Sequence, residues 1–191
     1  MKRQAEFQAW IEDLEEFSLP RWDDLTDMPI YMEQLLHMIE KYLELFQFGE
    51  EGGQSLTPSM VNNYVKLGLI PKPDKKKYNK RHVAYLIIIT LFKQVISIAE
   101  IQKALLFLAK QLGSKAAYDR FCEIQELTIH SRVKAYRQGE SDGAIMAAMT
   151  AFEQDDNFDE YLIWSACSTM TNLLFAKQII SLIEPEDRLA E

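Results

Sequence analysis

The spacing of apolar residues limits this chain to a helical fold. Apolar side chains recur mostly every three or four residues, and only seven glycines occur among 191 residues. Sustained alternation of apolar and polar residues, which predicts half-buried strands, is absent from the sequence. We therefore expect a predominantly all-α protein, in which 48% hydrophobic residues are enough to bury a core.

Charge is distributed unevenly along the chain. The net charge is −8, yet residues 51–110 hold ten Lys and Arg against three Asp and Glu, which gives this segment +7. Residues 1–50 and 111–191 carry −8 and −7. A basic segment between acidic flanks favours a nucleic-acid contact in the middle of the chain.

The chain offers little support for an enzyme or a metal site. Cys122 and Cys167 show no CxxC spacing, so neither a disulfide framework nor a zinc site is indicated. His37, His82 and His130 are far apart and fit no metalloprotease spacing. The sequence also lacks a Gly-rich phosphate loop and a nucleophile elbow. We expect no enzymatic activity, no metal and no cofactor.

Two apolar stretches of the sequence are candidates for membrane segments. Residues 85–96 are interrupted by Lys93 and Gln94, and residues 161–183 carry several polar side chains. Neither provides the roughly 20 mostly apolar residues that a membrane helix needs. The N-terminus lacks the uninterrupted apolar region of a secretory signal. We expect a cytoplasmic protein without a membrane partner.

Local signals predict where the first helices begin and end. Residues 28–46 present one broad apolar face and predict a long helix with Pro29 near its start. Residues 49–54, which include three glycines, predict a loop. Thr57 as N-cap and Pro58 in the first turn predict a second helix, which should stop at Gly68. Residues 68–79 carry two prolines and four lysines and predict an exposed turn or a short β-wing.

Further helices follow in the second half of the chain. Helical spacing resumes at residue 81 or 82 and continues to about residue 92. Ser97 and Glu100 form a capping-box pattern, which predicts a new helix ending near Gly113. Three more helices are expected over residues 115–138, 141–153 and 157–183.

The order of these signals resembles the MerR-type winged helix-turn-helix. Members of that family show a recognition helix ending in Tyr, a Gly-Leu step leading to Pro, a basic wing ending in Tyr, and a Ser-x-x-Glu entry into a later helix. The equivalents are Tyr64, residues 68–71, Tyr78 and residues 96–101. The run over residues 56–73 is also similar to an uncharacterised bacterial family of unknown function built on this core.

The resemblance implies a bacterial transcription regulator that binds double-stranded DNA as a homodimer. It divides the chain into residues 1–54, an N-terminal helical extension with the first helix of the core, residues 55–113, the winged core, and residues 114–191, a C-terminal helical region. That last region would serve dimerisation or bind an unknown small-molecule or protein effector.

The expected DNA contacts lie on the recognition helix, residues 57–67, and on the wing, residues 72–81. Asn side chains in a major groove can pair with adenine, and lysines beside the groove contact phosphates without reading sequence. Tyr78 is expected to anchor the wing on the core. The predicted contact residues are Thr57, Ser59, Asn62, Asn63, Tyr64, Lys66, Lys72, Lys75, Lys76, Lys77, Lys80 and Arg81.

Alternatives remain open for each of these features. MerR proteins carry Arg-Tyr-Tyr where this chain has Asn62, Asn63 and Tyr64, so a phosphate-binding Arg is missing. The alternative function is a helical protein-interaction adaptor that keeps the winged core without sequence-specific DNA binding. The lysine run could serve only as a solubilising loop. The aromatic residues of the C-terminal half could form a core or line a ligand pocket.

Overall fold

A computed structural model describes residues 2–46, 55–139 and 158–183. Within these ranges 75% of the residues are helical, which confirms the all-α expectation. The seven α-helices of the described ranges are α1 (Lys2–Glu15), α2 (Met32–Tyr42), α3 (Pro58–Lys66), α4 (Lys80–Phe92), α5 (Ile98–Leu112), α6 (Ser114–Gln138) and α7 (Phe158–Ser181). Short 3-10 turns occupy Trp22–Asp24 and Glu44–Phe46. The helix predicted over residues 141–153 lies outside the described residues.

The chain separates into two units. Residues 19–47 and 53–123 form one, called here the central unit. Residues 1–18, 48–52 and 124–191 form the other, called the terminal unit. Helix α6 contributes its first ten residues, 114–123, to the central unit and the remainder to the terminal unit. The division of the chain at residues 54 and 113 stays a prediction.

Helix α4 forms the core of the central unit. Its apolar residues point in all directions, and such a helix is stable only when neighbours cover it on most sides. Val83, Leu86, Ile87 and Ile89 are fully buried, and each contributes roughly 1.5–3 kcal/mol through burial. Helices α2 and α5 pack against α4.

The ends of α3 and α5 agree with the local signals. The Thr57 hydroxyl accepts a hydrogen bond from the Met60 N–H at 3.2 Å, and Pro58 opens α3. Gly68 follows α3 with φ +70°, a conformation that favours glycine. The Glu100 N–H donates to the Ser97 hydroxyl at 3.3 Å, and the Ser97 N–H donates to the Glu100 carboxylate at 3.0 Å. These boundaries and the capping box are confirmed.

Helix α2 is shorter than predicted. It covers Met32–Tyr42 and not the whole of residues 28–46, and a 3-10 turn follows it. The reason is a pairing with a distant residue: the backbone N–H and C=O of Ile30 both bond to Tyr78 at 2.8 Å. Because those groups are used in an extended pairing, the helix cannot begin before this point, and Pro29 lies outside it.

The terminal unit is built from α1, the second part of α6, and α7. Ile11 and Leu14 of α1 and Ile124 and Ile129 of α6 are fully buried. Phe175 of α7, also buried, completes the apolar interior. None of the helices within the described ranges has the length and apolarity needed to cross a membrane.

Candidate nucleic-acid interface

One face of α3 is polar and exposed. Ser59, Asn62, Asn63 and Lys66 lie three and four residues apart and are all exposed, as their helical spacing requires. Val61 and Tyr64 lie on the opposite side and are buried. The exposed N-cap Thr57 continues the same polar surface. The residues predicted for this face are therefore exposed, and their contact with DNA stays a prediction.

Tyr64 differs from the other predicted contact residues because its side chain is 4% exposed. Burial raises the pKa of its phenol above the ordinary value. Its carbonyl oxygen accepts a hydrogen bond from the Leu69 N–H at 2.9 Å. The ring therefore packs α3 against the core of the central unit, and its predicted contact with DNA stays a prediction.

A tight turn presents lysines between α3 and α4. The Lys77 N–H donates to the Asp74 carbonyl at 2.8 Å and closes the turn. Lys75 and Lys76, the two central residues, have φ of 46° and 63°. Positive φ at both central positions is the pattern of a type I′ hairpin turn, which usually contains Asn-Gly. Both lysines are exposed at the tip.

The turn is attached to the core at its C-terminal side. Ile30 and Tyr78 form an isolated antiparallel bridge through two hydrogen bonds of 2.8 Å. The Tyr78 ring is 3% exposed and meets the His82 ring edge-on, with centroids 5.3 Å apart. The predicted anchoring role of Tyr78 is confirmed. We call residues 72–78 the wing segment.

The predicted phosphate-binding cations differ in their exposure and in the partners that they already have. Lys72, Lys75 and Lys76 are exposed. The Lys77 ammonium lies 5.3 Å from the centre of the Tyr31 ring. These four are available at the surface.

Two further cations of this group already have partners within the central unit. Lys80 forms an ion pair with Asp27, and its side chain is 23% exposed. The Arg81 guanidinium donates to the Tyr85 hydroxyl at 3.2 Å and lies 5.4 Å from the centre of that ring. Arg81 is exposed and Lys80 is partly exposed, and both lie in the first turn of α4 and not in the turn before it.

Three contributors to this surface were missed in the sequence. Tyr31 is 56% exposed beside Lys77, and Asp27 engages Lys80. Gln102 donates to the Leu67 carbonyl at 3.1 Å and so stabilises the end of α3. These residues are distant in sequence from α3 and from the wing segment, so no local pattern links them to either.

No three or more His, Cys, Asp or Glu side chains of the described ranges form a group that could hold a metal ion. The chemistry of this surface is that of amides, hydroxyls and ammonium groups.

Comparisons with known proteins identify a family. Residues 20–121, more than half of the chain, match the family described as Domain of unknown function (DUF1836). The match nearly coincides with the central unit, residues 19–47 and 53–123, and it includes both α3 and the wing segment. No curated protein and no solved structure matches the chain.

Proposed function

We propose that this chain, which belongs to the DUF1836 family, is a DNA-binding transcription regulator with a MerR-type winged helix-turn-helix. The observation that carries the proposal is the exposed polar face of α3 in the same unit as a lysine-tipped turn. Both belong to a segment of charge +7 within a chain of charge −8, and phosphate binding depends largely on Lys and Arg.

The bridge between Ile30 and Tyr78 supports the winged-helix interpretation. A wing needs a fixed extended segment beside its turn, and this pairing supplies one. The order α2, α3, wing segment, α4 and α5 also agrees with the resemblance seen in the sequence. Helix α3 would act as the recognition helix.

The proposed contacts follow from the two kinds of side chain. Asn62 and Asn63 would enter the major groove, where the amide of Asn can bond bidentately to adenine. Lys72 and the three lysines of the turn, residues 75–77, would contact phosphates beside the groove, positioning α3 without reading bases.

The second candidate is a helical adaptor that binds a protein and does not read DNA. It is favoured by one observation, the Asn62-Asn63-Tyr64 run where MerR proteins carry an Arg. Without that Arg, the recognition helix has one phosphate contact fewer. The two candidates differ in their expected response to salt.

We further propose that the chain associates with a second copy of itself through α5. Within this helix only Ile101 is buried, whereas Leu106 is 63% exposed and Leu112 is 37% exposed. A symmetric contact with a second copy would remove these leucine side chains from water. A dimer would place two α3 helices on a two-fold operator.

The first experiment is a titration of the full chain against pooled genomic DNA fragments at several salt concentrations. Changing Lys75, Lys76 and Lys77 to Ala should weaken binding to all fragments alike. It should also reduce the slope of log affinity against log salt by roughly one unit for each lost phosphate contact. The matched control changes Lys2, Lys41 and Lys134 to Ala, three exposed lysines that lie outside α3, the wing segment and α5, and should leave the slope unchanged.

Asn62→Ala tests the reading of sequence in the same titration. It should change which fragments are enriched and leave the salt slope intact, because the amide contacts bases and not phosphates. If no fragment is enriched at low salt, the DNA-binding regulator is refuted. The protein-binding adaptor then remains as the candidate function. If the lysine variant and the control variant change the salt slope equally, the wing segment is not part of the DNA interface.

A further inference from the structure

The terminal unit contains a cavity of about 750 Å³. One face of each of three helices lines it. Arg3 and Phe7 come from α1, Arg132 and Tyr136 from α6, and Phe175 from α7. Pockets for small molecules usually measure about 300–1,000 Å³, so the volume is in the range of a ligand site.

The wall of the cavity is mostly apolar and partly fixed in place. The Phe7 and Tyr136 rings meet edge-on with centroids 5.3 Å apart. The Gln8 side chain donates to the Tyr136 hydroxyl at 2.8 Å. Phe175 is held by the Trp10 ring, whose centroid is 4.9 Å away. Preorganised aromatic walls lower the cost of binding an apolar body.

The charge of the lining is positive in an acidic chain. Arg3 and Arg132 line the cavity, and no acidic residue is among its described lining residues. The Arg132 guanidinium lies 5.7 Å from the centre of the Phe175 ring, so its charge is held against the apolar wall.

Arg137 lies on the same helix as Arg132 but does not line the cavity. Its guanidinium donates to the Glu15 carboxylate at 2.9 Å and to Gln8 at 3.0 Å. Among the described residues Arg132 has no such carboxylate partner. A half-buried arginine against an apolar wall, without a carboxylate partner among the described residues, suits a carboxylate supplied by a ligand.

We propose that this cavity binds a small molecule with an apolar body and one carboxylate, and that Arg132 binds the carboxylate. The apolar body would lie against Phe7, Tyr136 and Phe175. The inference is independent of the proposed DNA binding, since every residue involved belongs to the terminal unit.

Decanoate is a suitable probe, used with the full chain in isothermal titration calorimetry below its micelle concentration. Decanoate should bind at least about tenfold more tightly than decanol, because a charge-assisted hydrogen bond adds to the apolar contact. Decyltrimethylammonium, with the opposite charge, should not bind. Absence of decanoate binding, or equal affinity for the acid and the alcohol, would overturn the proposal.

Arg132→Gln tests the headgroup contact. It should reduce the affinity for decanoate by about tenfold or more and leave that for decanol unchanged. Lys134→Gln is the matched control, an exposed cation of the same helix that does not line the cavity, and it should bind decanoate like the parent chain. Equal behaviour of the two variants would refute the role of Arg132.

Three additional measurements locate the site and identify the source of its ligand. Trp10 fluorescence should change on binding, because Trp10 contacts the cavity residue Phe175. Ile179→Trp, at a lining position that is 54% exposed, should fill space and weaken binding of both acid and alcohol. The chain could also be recruited to phosphatidylglycerol vesicles without binding free decanoate. That result would overturn the small-molecule site and assign these residues to a membrane contact.

Discussion

His82 shows how a single residue connects the wing segment to the core. Its side chain is 3% exposed, and its Nδ1 accepts a hydrogen bond from the Asn79 N–H at 3.1 Å. Burial lowers the pKa of His82 below its ordinary value of 6.5; it outweighs backbone hydrogen bonding at Pro71 and Asn79, which acts in the opposite direction. The neutral ring is therefore the form that packs against Tyr78.

This lowered pKa predicts a stability that depends on pH. Between the lowered pKa and 6.5 the unfolded chain binds the proton and the folded chain does not, so unfolding is favoured as pH falls. The contribution of the neutral ring is present above about pH 6.5 and is lost progressively below it. Urea unfolding at about pH 7.5 and about pH 5.5 measures the difference.

His82→Gln is the comparison for that measurement. A Gln can accept the same Asn79 N–H in a capping-box arrangement but has no proton to gain. The variant should lose less stability than the parent chain over the same pH interval, while His37 and His130 are common to both. An equal loss in the two chains would assign the pH dependence to other groups.

Single residues also show what sequence reasoning can reach. The exposure of Asn62 and Asn63 follows from their place on the polar face of a capped helix, while their contact with DNA stays a prediction. Tyr31 and Asp27 were not found, since their contacts with Lys77 and Lys80 join residues about 50 positions apart. Helical spacing predicts the face on which a residue lies and not the distant residue that it meets.

At the scale of elements, the wing segment has an unusual backbone. Two lysines stand where hairpin turns of this type usually have Asn and Gly. A non-glycine residue in this region costs roughly 1–2 kcal/mol. Strain of this kind is often found at functional sites, and here it places two ammonium groups at an exposed tip.

Lys76→Gly should raise the free energy of unfolding by about 0.5–1 kcal/mol. The relief of roughly 1–2 kcal/mol of strain exceeds the roughly 0.4–1 kcal/mol that glycine costs by freeing the unfolded chain. DNA affinity should fall in the same variant, because one phosphate contact is removed. Urea denaturation and the fragment titration measure the two effects.

Lys72→Gly is the control, since Lys72 is exposed on the same segment but has no positive φ. It should lower the free energy of unfolding, because only the entropic cost of glycine remains. A loss of stability in both variants would show that the turn carries no relievable strain.

Helix boundaries were predictable where the signal is local. Caps at Thr57 and Ser97 satisfy backbone groups within the same helix turn, so sequence alone defines them. The start of α2 was not predictable, because Ile30 pairs with Tyr78 across 48 positions. The positive φ of Lys75 was also not predictable, because lysine is not a residue type that favours a left-handed backbone conformation.

At the scale of the whole molecule, self-association through α5 gives the clearest test. Leu106→Glu should convert a dimer into a monomer, because a carboxylate would be buried in an apolar contact. Light scattering after size-exclusion chromatography measures the mass over a range of concentrations. Leu127→Glu, at an apolar position of α6 that is 44% exposed, should leave the dimer intact.

A parent chain that is monomeric at every concentration would refute the association. Loss of the dimer in both variants would mean that α5 has no special role. The sequence indicated a dimer only through its resemblance to MerR proteins. It could not show that α5 keeps most of its apolar residues incompletely buried, since exposure depends on how the other helices pack.

The cavity was likewise beyond sequence reasoning. Tyr136 and Phe175 were recognised as candidates for either a core or a pocket, and the structure gives each a different environment. Phe175 is buried, whereas Tyr136 is 42% exposed. Arg3 and Arg132, the two cations among the described lining residues, are 129 positions apart, and no spacing rule connects them.

The three consecutive lysines at the exposed turn are also a cleavage site for a protease. Trypsin cleaves after Lys, and exposed loop tips are the preferred sites of nicking. Lys72 is protected by the Pro73 that follows it, so cleavage of this segment is confined to the tip. A partner lying over the tip would slow that cut. The rate of one tryptic cleavage therefore reports whether the wing segment is covered, before any operator sequence is known.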